Sequence, residues 1–553
     1  MNQKKTESYK ILYYLISEYN IFKKVSWLTL INDRKSIISS IFTSKRIYSI
    51  ILFLLLIKIL NQWLYIRKYN RIYKEYNIKS QYPLPIFGDI INIILSGGMS
   101  NSIESTYKSH EKDGLTYIIW IWSKPIMVTA DYKWFTKILK SNYKIYDRNQ
   151  LEQTSFNDIF GHGLLMENNG QTWREKRKNI SLGFKMENLE YGKEIIYNTL
   201  TMNYDELDNK IVDIHPFFSK LSFDIISQYI LGTSPPSNSY ELWEYILKYN
   251  QFMFLCPVPF WKFVKTSGYK RYINNLTELK TIIKNSIDNQ IDMVDKDNPE
   301  SDSKSLLYIM LRNLRKEKDN EWSNTEEGLS FRSDVNKNFK LDHVSEEAMI
   351  RECLTLLFAG HDTTSILLTY TVYHLASCQR QPEMNRIVQD HEKINSTKQN
   401  ESNGNFYNKI RHDVDNDNFE SLNLFLKEVL RLYSPAPYRG RTLLEDDIID
   451  GIPLYKGQDI ILNFDGQHRL NFENGDEFNP ERFKVSDDKN WIPFGLGPRE
   501  CIGKQFALNE AQIVIAEIIK RYQLKLIGNP IIKKELCVTL KNIDPIKIKF
   551  INL

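Results

Sequence analysis

The chain has 553 residues, is 42% hydrophobic and carries a formal net charge of +5. It is long enough to bury a large core, and its charge gives no reason to expect nucleic-acid binding. Five cysteines (Cys256, Cys353, Cys378, Cys501 and Cys537) are odd in number and form no CxxC pair, which argues against a disulfide scaffold or a zinc site and for a reducing compartment.

Residues 1–46 form a basic N-terminal extension. Residues 47–66, IYSIILFLLLIKILNQWLYI, have about the length of one membrane span and are interrupted by Lys58. Tyr48, Trp63 and Tyr65 sit near the ends, where aromatic rings favour the membrane interface. No small-residue cleavage site follows, so the segment reads as a retained membrane anchor. The basic extension conflicts with a simple span whose following domain is cytoplasmic. A hairpin or interfacial anchor, or an organellar targeting segment, would resolve this.

Residues 67–90 read as a linker with a proline-containing hinge, where Pro83 and Pro85 predict a stiff extended stretch. From 91 to 553 no strong linker appears, so one catalytic domain is expected. Helix-type apolar spacing dominates, with strand-like pieces near 115–130, 441–464 and 535–550, which predicts a mainly α fold with small sheets. Residues 313–342 and 395–418 are polar and charged and read as exposed mobile loops. Phe252 to Trp261 is apolar and broken by two prolines; a lid over a ligand and plain core packing are both open readings.

Trp173 and Arg177 stand four apart in a basic segment, and Arg439 and Arg441 flank Gly440. Ser345-Glu346-Glu347 predicts a helix start, followed by a long run in which Asp362 is the only formal charge from Cys353 to Gln379. Such a helix belongs in a core, and an acid in it needs a partner or a purpose. Gly360 weakens that helix by about 1 kcal/mol relative to alanine, and its missing side chain is expected to leave space over a ligand. Glu428 and Arg431, three apart, can pair on one helix face.

The densest signal is Phe494-Gly495-Leu496-Gly497-Pro498-Arg499-Glu500-Cys501-Ile502-Gly503, just before an apolar run to Tyr522 that reads as a helix. A neighbouring arginine and a helix N-terminus are expected to favour the Cys501 thiolate, the form that binds metal. The stretch resembles the haem-binding motif of the cytochrome P450 superfamily, Phe-x-x-Gly-x-Arg-x-Cys-x-Gly. Ala359-Gly360-His361-Asp362-Thr363-Thr364 resembles that superfamily's oxygen-activation motif. Glu428-Val429-Leu430-Arg431 and Pro480-Glu481-Arg482-Phe483 resemble its buried Glu–Arg–Arg network, in the same chain order.

The resemblance implies a cytochrome P450 fold of the microsomal type, within the broad group that includes fatty-acid hydroxylases. It implies haem b with Cys501 as axial ligand, proton handling by Asp362 and Thr363, and haem contacts from Trp173, Arg177, Gly360, Arg441, Phe494 and Arg499. Ala359 stands where a glutamate esterifies haem in one branch, so non-covalent haem apart from the Cys501 bond is expected. The implied partners are O2, a lipophilic substrate, the membrane and a separate NADPH-dependent reductase, drawn to a basic face of Arg174, Lys176, Lys178 and Lys504. The implied location is the endoplasmic reticulum membrane with a cytoplasmic catalytic domain, the mitochondrion being the alternative. A lipid-hydroperoxide isomerase or dehydratase on the same fold, and a non-enzymatic haem sensor, are the competing functions.

Overall fold

The computed structural model describes residues 45–80, 83–84, 87–95, 115–122, 124–255, 264, 266–295, 305–323, 343–377, 385–387, 389, 420–485, 488–532, 534–536, 539–542 and 544–553. In chain order the elements that matter are α1 (Lys45–Lys74), β1 (Lys79–Ser80), β2 (Thr116–Ile121), β3 (Lys124–Thr129), β4 (Tyr146–Arg148), α2 (Gln150–Phe160) and α3 (Gln171–Gly183). Then come α4 (Met186–Thr201), β5 (Ile211–Asp213), α5 (Ile214–Leu231), α6 (Ser239–Leu255), α7 (Ser267–Asp295), α8 (Leu306–Ser323), α9 (His343–Ala376) and α10 (Glu420–Leu432). The chain ends with β6 (Tyr438–Leu443), β7 (Asp447–Ile449), β8 (Ile452–Leu454), β9 (Asp459–Asn463), α11 (Lys504–Arg521), β10 (Tyr522–Leu526), β11 (Lys534–Leu536), β12 (Leu540–Asn542) and β13 (Lys547–Asn552).

These fall into two compact units, residues 1–131 with 446–461, and residues 132–445 with 462–553. In the smaller, β2 and β3 form an antiparallel hairpin with β1 parallel beside β2. The C-terminal half of α1 turns Ile66, Tyr69 and Tyr73 inward, with Tyr69 5.6 Å from Trp120, ring centre to ring centre. Its N-terminal half leaves Leu52, Phe53, Leu54, Leu56, Leu60 and Leu64 exposed. The expected spanning anchor is thus met in helicity alone. Among the described residues no helix is long and apolar enough to cross a membrane, and Lys58, Asn61 and Gln62 interrupt this one. In the hinge, Leu84 and Gly88 bond to each other's backbone at 3.2 and 2.9 Å, and Pro85 lies outside the described residues. Gly88 has φ +62°, and a Cβ there would lie 2.3 Å from the Trp120 carbonyl oxygen.

In the larger unit α5 and α9 pack along one another at the centre, with α2, α7, α10 and α11 against α9. This helix–helix core holds most of the buried Ile, Leu and Phe side chains. α5 stops at Gly232, whose left-handed φ of +77° lets its N–H reach the Gln228 carbonyl. The C-terminal β10, β13 and β5 make an antiparallel sheet, and β11 and β12 a separate hairpin.

The predicted helices at 345 and 502 are present as α9 and α11. The loop expected over 313–342 is a helix as far as Ser323, because α8 begins on the buried apolar run Leu306, Leu307, Tyr308, Met310 and Leu311 and continues through its charged end. Its remainder, the loop at 395–418 and residues 256–261 lie outside the described residues. Of the apolar segment from Phe252, Met253 is buried at the end of α6.

Candidate haem-thiolate site

The cysteine loop is built by backbone bonds. The Ile492 N–H donates to His468 Nε2 at 3.1 Å, and Gly495 N–H returns to the Ile492 carbonyl at 2.9 Å. Gly495 and Gly497 adopt φ of +83° and +73°, a region that disfavours L side chains. A single 3-10 turn, Gly497–Arg499, then brings the Cys501 N–H to the Phe494 carbonyl at 2.9 Å. The Phe494 ring lies 6.0 Å from Trp491.

The Cys501 thiol is reachable by water, although protein surrounds it deeply. Burial pushes its pKa up, against the opposing pull of the Gly503 N–H and of Arg439 and Arg177. The expected easy thiolate is therefore corrected: in the bare chain desolvation outweighs the helix start and the arginines. A bound metal would supply the missing stabilisation by displacing the proton.

Beside the loop lies a cluster of arginines. Arg148 on β4 and Arg441 on β6 are register partners. With Arg499, Asn169 and Tyr146 they line a narrow cleft of about 10 Å³. Burial, then mutual repulsion, drives Arg148 well below the usual guanidinium range. Burial lowers Arg499 to about 10, helped by Arg441. Arg441 also falls to about 10, through burial and despite Glu152. Glu152 accepts the Gly440 N–H at 3.1 Å, and burial raises its own pKa. Arg499 donates through Nε to Asn169 Oδ1 at 2.9 Å and through Nη2 to the Glu167 carbonyl at 2.8 Å. Its Nη1, and Nε of Arg148, are buried with no acceptor among the described residues. Buried donors without acceptors, in a cleft richer in guanidinium than in carboxylate, fit an anionic ligand group.

Trp173 is buried under Arg499, and Arg177 Nη2 donates to the Glu500 carbonyl at 2.7 Å, next to the cysteine. The structure thus gathers Arg441 and Arg499 around one cleft, stacks Trp173 against Arg499 and sets Arg177 against the cysteine loop. Arg148 was not singled out in the sequence. The alternation on a three-residue strand is too short to reveal it, and its burial depends on β6, far along the chain.

On α9, Ala359 is exposed beside buried Phe358 and half-buried Gly360, and Thr363 sits one turn on, its Oγ1 donating to the Ala359 carbonyl at 2.7 Å. These two mark an accessible stripe on α9. Gly360 does not leave space: a Cβ there would lie 2.5 Å from Ile226 Cγ1. The missing side chain lets α5 approach α9, so the space expected over a ligand is filled by Ile226. His361 accepts from Trp243 Nε1 at Nδ1, 3.3 Å away, and its Nε2 pairs with Ser219 Oγ at 2.9 Å. Asp362 is buried and accepts a hydrogen bond from Thr539 Oγ1.

The Glu–Arg–Arg network is complete. Arg431, with no exposed side-chain surface, grips Glu428 through Nε at 2.7 Å and Nη2 at 2.9 Å, and Arg482 Nε reaches the same carboxylate at 3.2 Å. Arg431 also bonds the carbonyls of His468, Gly475 and Glu477. The expected basic docking face is thinner than supposed. Lys176 faces Glu167 at 3.1 Å and Glu352 at 3.2 Å, and Lys504 pairs with Glu500 at 3.1 Å. Arg174 and Lys178 stay exposed.

The family model for cytochrome P450 matches residues 78–550. A cytokinin hydroxylase of Arabidopsis thaliana is 27% identical, the match covering 84% of this chain and 88% of that one. Cytochrome P450 4d2 of Drosophila melanogaster is 23% identical over 81% of this chain and 88% of its own. Among solved structures, a retinoic acid bound cyanobacterial CYP120A1 superposes with a TM-score of 0.66 at 18% identity, covering 86% of this chain and 99% of that one.

Proposed function

Because the chain belongs to the cytochrome P450 family, whose members are haem-thiolate monooxygenases, we propose that it inserts one oxygen atom from O2 into a lipophilic substrate, using electrons from a separate reductase. The observation that carries the site assignment is the pairing of a water-accessible Cys501 with two buried arginine donors that lack acceptors. The donor set suits haem: one sulfur for the iron, and Arg148, Arg441 and Arg499 for the anionic edge, with Trp173 beneath. When bound, thiolate-ligated haem supplies the electron density that favours O–O cleavage.

The protein's own residues do the rest. Gly503 N–H, Arg439 and Arg177 favour a negative sulfur. Arg499 holds a carboxylate in place with a guanidinium already fixed by Asn169 and Glu167, so little side-chain freedom is lost on binding. Thr363, at the accessible stripe, offers a hydroxyl that donates or accepts, and Asp362 one residue earlier can take up or release a proton. That pair supports a monooxygenase over a hydroperoxide isomerase, which needs no proton delivery to oxygen.

The exposed apolar half of α1 supports attachment to a membrane surface, at the endoplasmic reticulum, with the apolar residues sunk into the headgroup boundary. A lipophilic substrate would concentrate there. The retinoic acid named for the solved neighbour and the hydroxylase name of the plant relative are both consistent with hydroxylation of such a compound.

The test is the spectrum of the reduced, carbon-monoxide-bound protein. A strongly red-shifted Soret band, lost in Cys501→Ala, is the expected result. A folded protein that takes up no haem would overturn the proposal.

A further inference from the structure

Thr539 directly precedes β12 at the closed end of the β11–β12 hairpin, where Leu536 pairs with Leu540. A loop tip is ordinarily exposed, yet Thr539 is 2% exposed. Its hydroxyl donates to Asp362 Oδ2 across 177 positions of sequence. Asp362 is itself 2% exposed, in the middle of α9. At 3.6 residues per turn it stands about 60° around the helix from Ala359, so it borders the accessible stripe of Ala359 and Thr363. Its neighbours are held from within the helical core, Gly360 against Ile226 and His361 by Ser219 and Trp243. Asp362 differs, because one of its holds comes from a strand hairpin outside that core.

Two three-residue strands, with no third strand beside them among the described residues, are marginal by themselves. The position of this hairpin therefore depends on what its tip touches. A buried carboxyl gains much from a hydroxyl donor, and removing the donor leaves it to seek another partner.

We propose that Thr539 is a positioning residue for the reaction: it sets the Asp362 side chain and makes proton handling at Asp362 depend on where the C-terminal hairpin lies. The proposal rests on the proton role given to Asp362 above. A substrate that shifts the hairpin would then shift Asp362 with it, tying proton delivery to substrate binding.

The probe is dioxygen, which needs neither reductase nor substrate. Holoenzyme reduced with dithionite is mixed with O2 in H2O and in D2O, and its reoxidation is followed at the Soret band. Hydrogen exchange of residues 534–542 is measured in parallel. The variants are Thr539→Val, Thr539→Ser and Asp362→Asn, each first shown to keep the wild-type carbon-monoxide spectrum. The expected result is that Thr539→Val and Asp362→Asn both change the reoxidation rate and its solvent isotope effect, Thr539→Val by roughly tenfold, part of the 10²–10⁴ that a positioned proton donor contributes. Thr539→Ser restores both, and the hairpin exchanges faster in Thr539→Val alone of the two Thr539 variants. If Asp362→Asn changes the kinetics and Thr539→Val does not, the threonine only packs and the proposal falls. If Asp362→Asn changes nothing, the proton role of Asp362 falls first and takes the proposal with it.

Discussion

The guanidinium carbon of Arg499 lies 4.3 Å from the centre of the Trp173 ring, close enough for a cation–π contact in a buried setting. The ring and the two hydrogen bonds to Asn169 and Glu167 fix the plane of the guanidinium, leaving Nη1 buried and without an acceptor among the described residues. Two residues 326 positions apart thus make one anion-binding device (499 − 173).

Arg499→Leu should release haem faster, by about tenfold or more, since a hydrogen bond to a charged group contributes about 1.5–3 kcal/mol. Arg499→Lys should recover little of this, because an ammonium cannot keep the planar pair of bonds. Transfer of haem to an acceptor protein, timed by absorbance, checks both.

Glu428→Ala should be among the most damaging single changes. It leaves Arg431 charged with no exposed side-chain surface and removes the partner of Arg482. Breaking a buried pair costs about 3–5 kcal/mol. Thermal melting of the holoprotein, or failure to recover it, is the readout, and retention of the wild-type melting temperature would contradict the network's role.

Gly360→Ala separates packing from cofactor binding. A methyl group 2.5 Å from Ile226 Cγ1 overfills the α5–α9 contact and should cost about 1–3 kcal/mol despite the better helix propensity of alanine. Ile226→Ala removes the obstructing atoms, so the double variant should be more stable than the sum of the two single losses predicts. Denaturant titration of the four proteins closes the cycle.

Glu510 makes stability depend on pH. Burial raises its carboxyl from 4.5 to about 8, with Ser222 Oγ donating at 2.7 Å against that rise. Folded protein therefore holds a proton here that unfolded protein has lost. The contribution is fully present below pH 4.5 and disappears as pH climbs towards 8. The slope is at most about 1.4 kcal/mol per pH unit from this one group. Glu510→Gln keeps an acceptor for Ser222 and cannot ionise, so its unfolding free energy should lack that slope.

The cysteine loop, α9 and α11 were legible because each is local. Glycines at fixed offsets, a long apolar run and an acid in its middle are properties of adjacent residues. What stayed hidden depends on distant chain segments. Arg148 matters because β6 lies beside it, Lys176 is neutralised by Glu352 from α9, and Gly360 meets a side chain of α5. A glycine reads the same in sequence whether a ligand or a neighbouring helix occupies the space beside it. The apolar length of 47–66 likewise shows a helix and does not show on which side of a boundary it rests.

The two glycines of the cysteine loop share a left-handed backbone yet differ in their surroundings. A Cβ at Gly497 would lie 2.2 Å from the Leu139 carbonyl oxygen, while at Gly495 the nearest atom is the Glu500 Cα at 4.0 Å. Position 495 is therefore constrained by torsion alone and position 497 by solid backbone as well. An asparagine, which tolerates that torsion, has room at the first and none at the second. Anyone retuning the sulfur's surroundings by substitution has one adjustable point in this loop, and the segment around Leu139 is the fixed wall against which it must be adjusted.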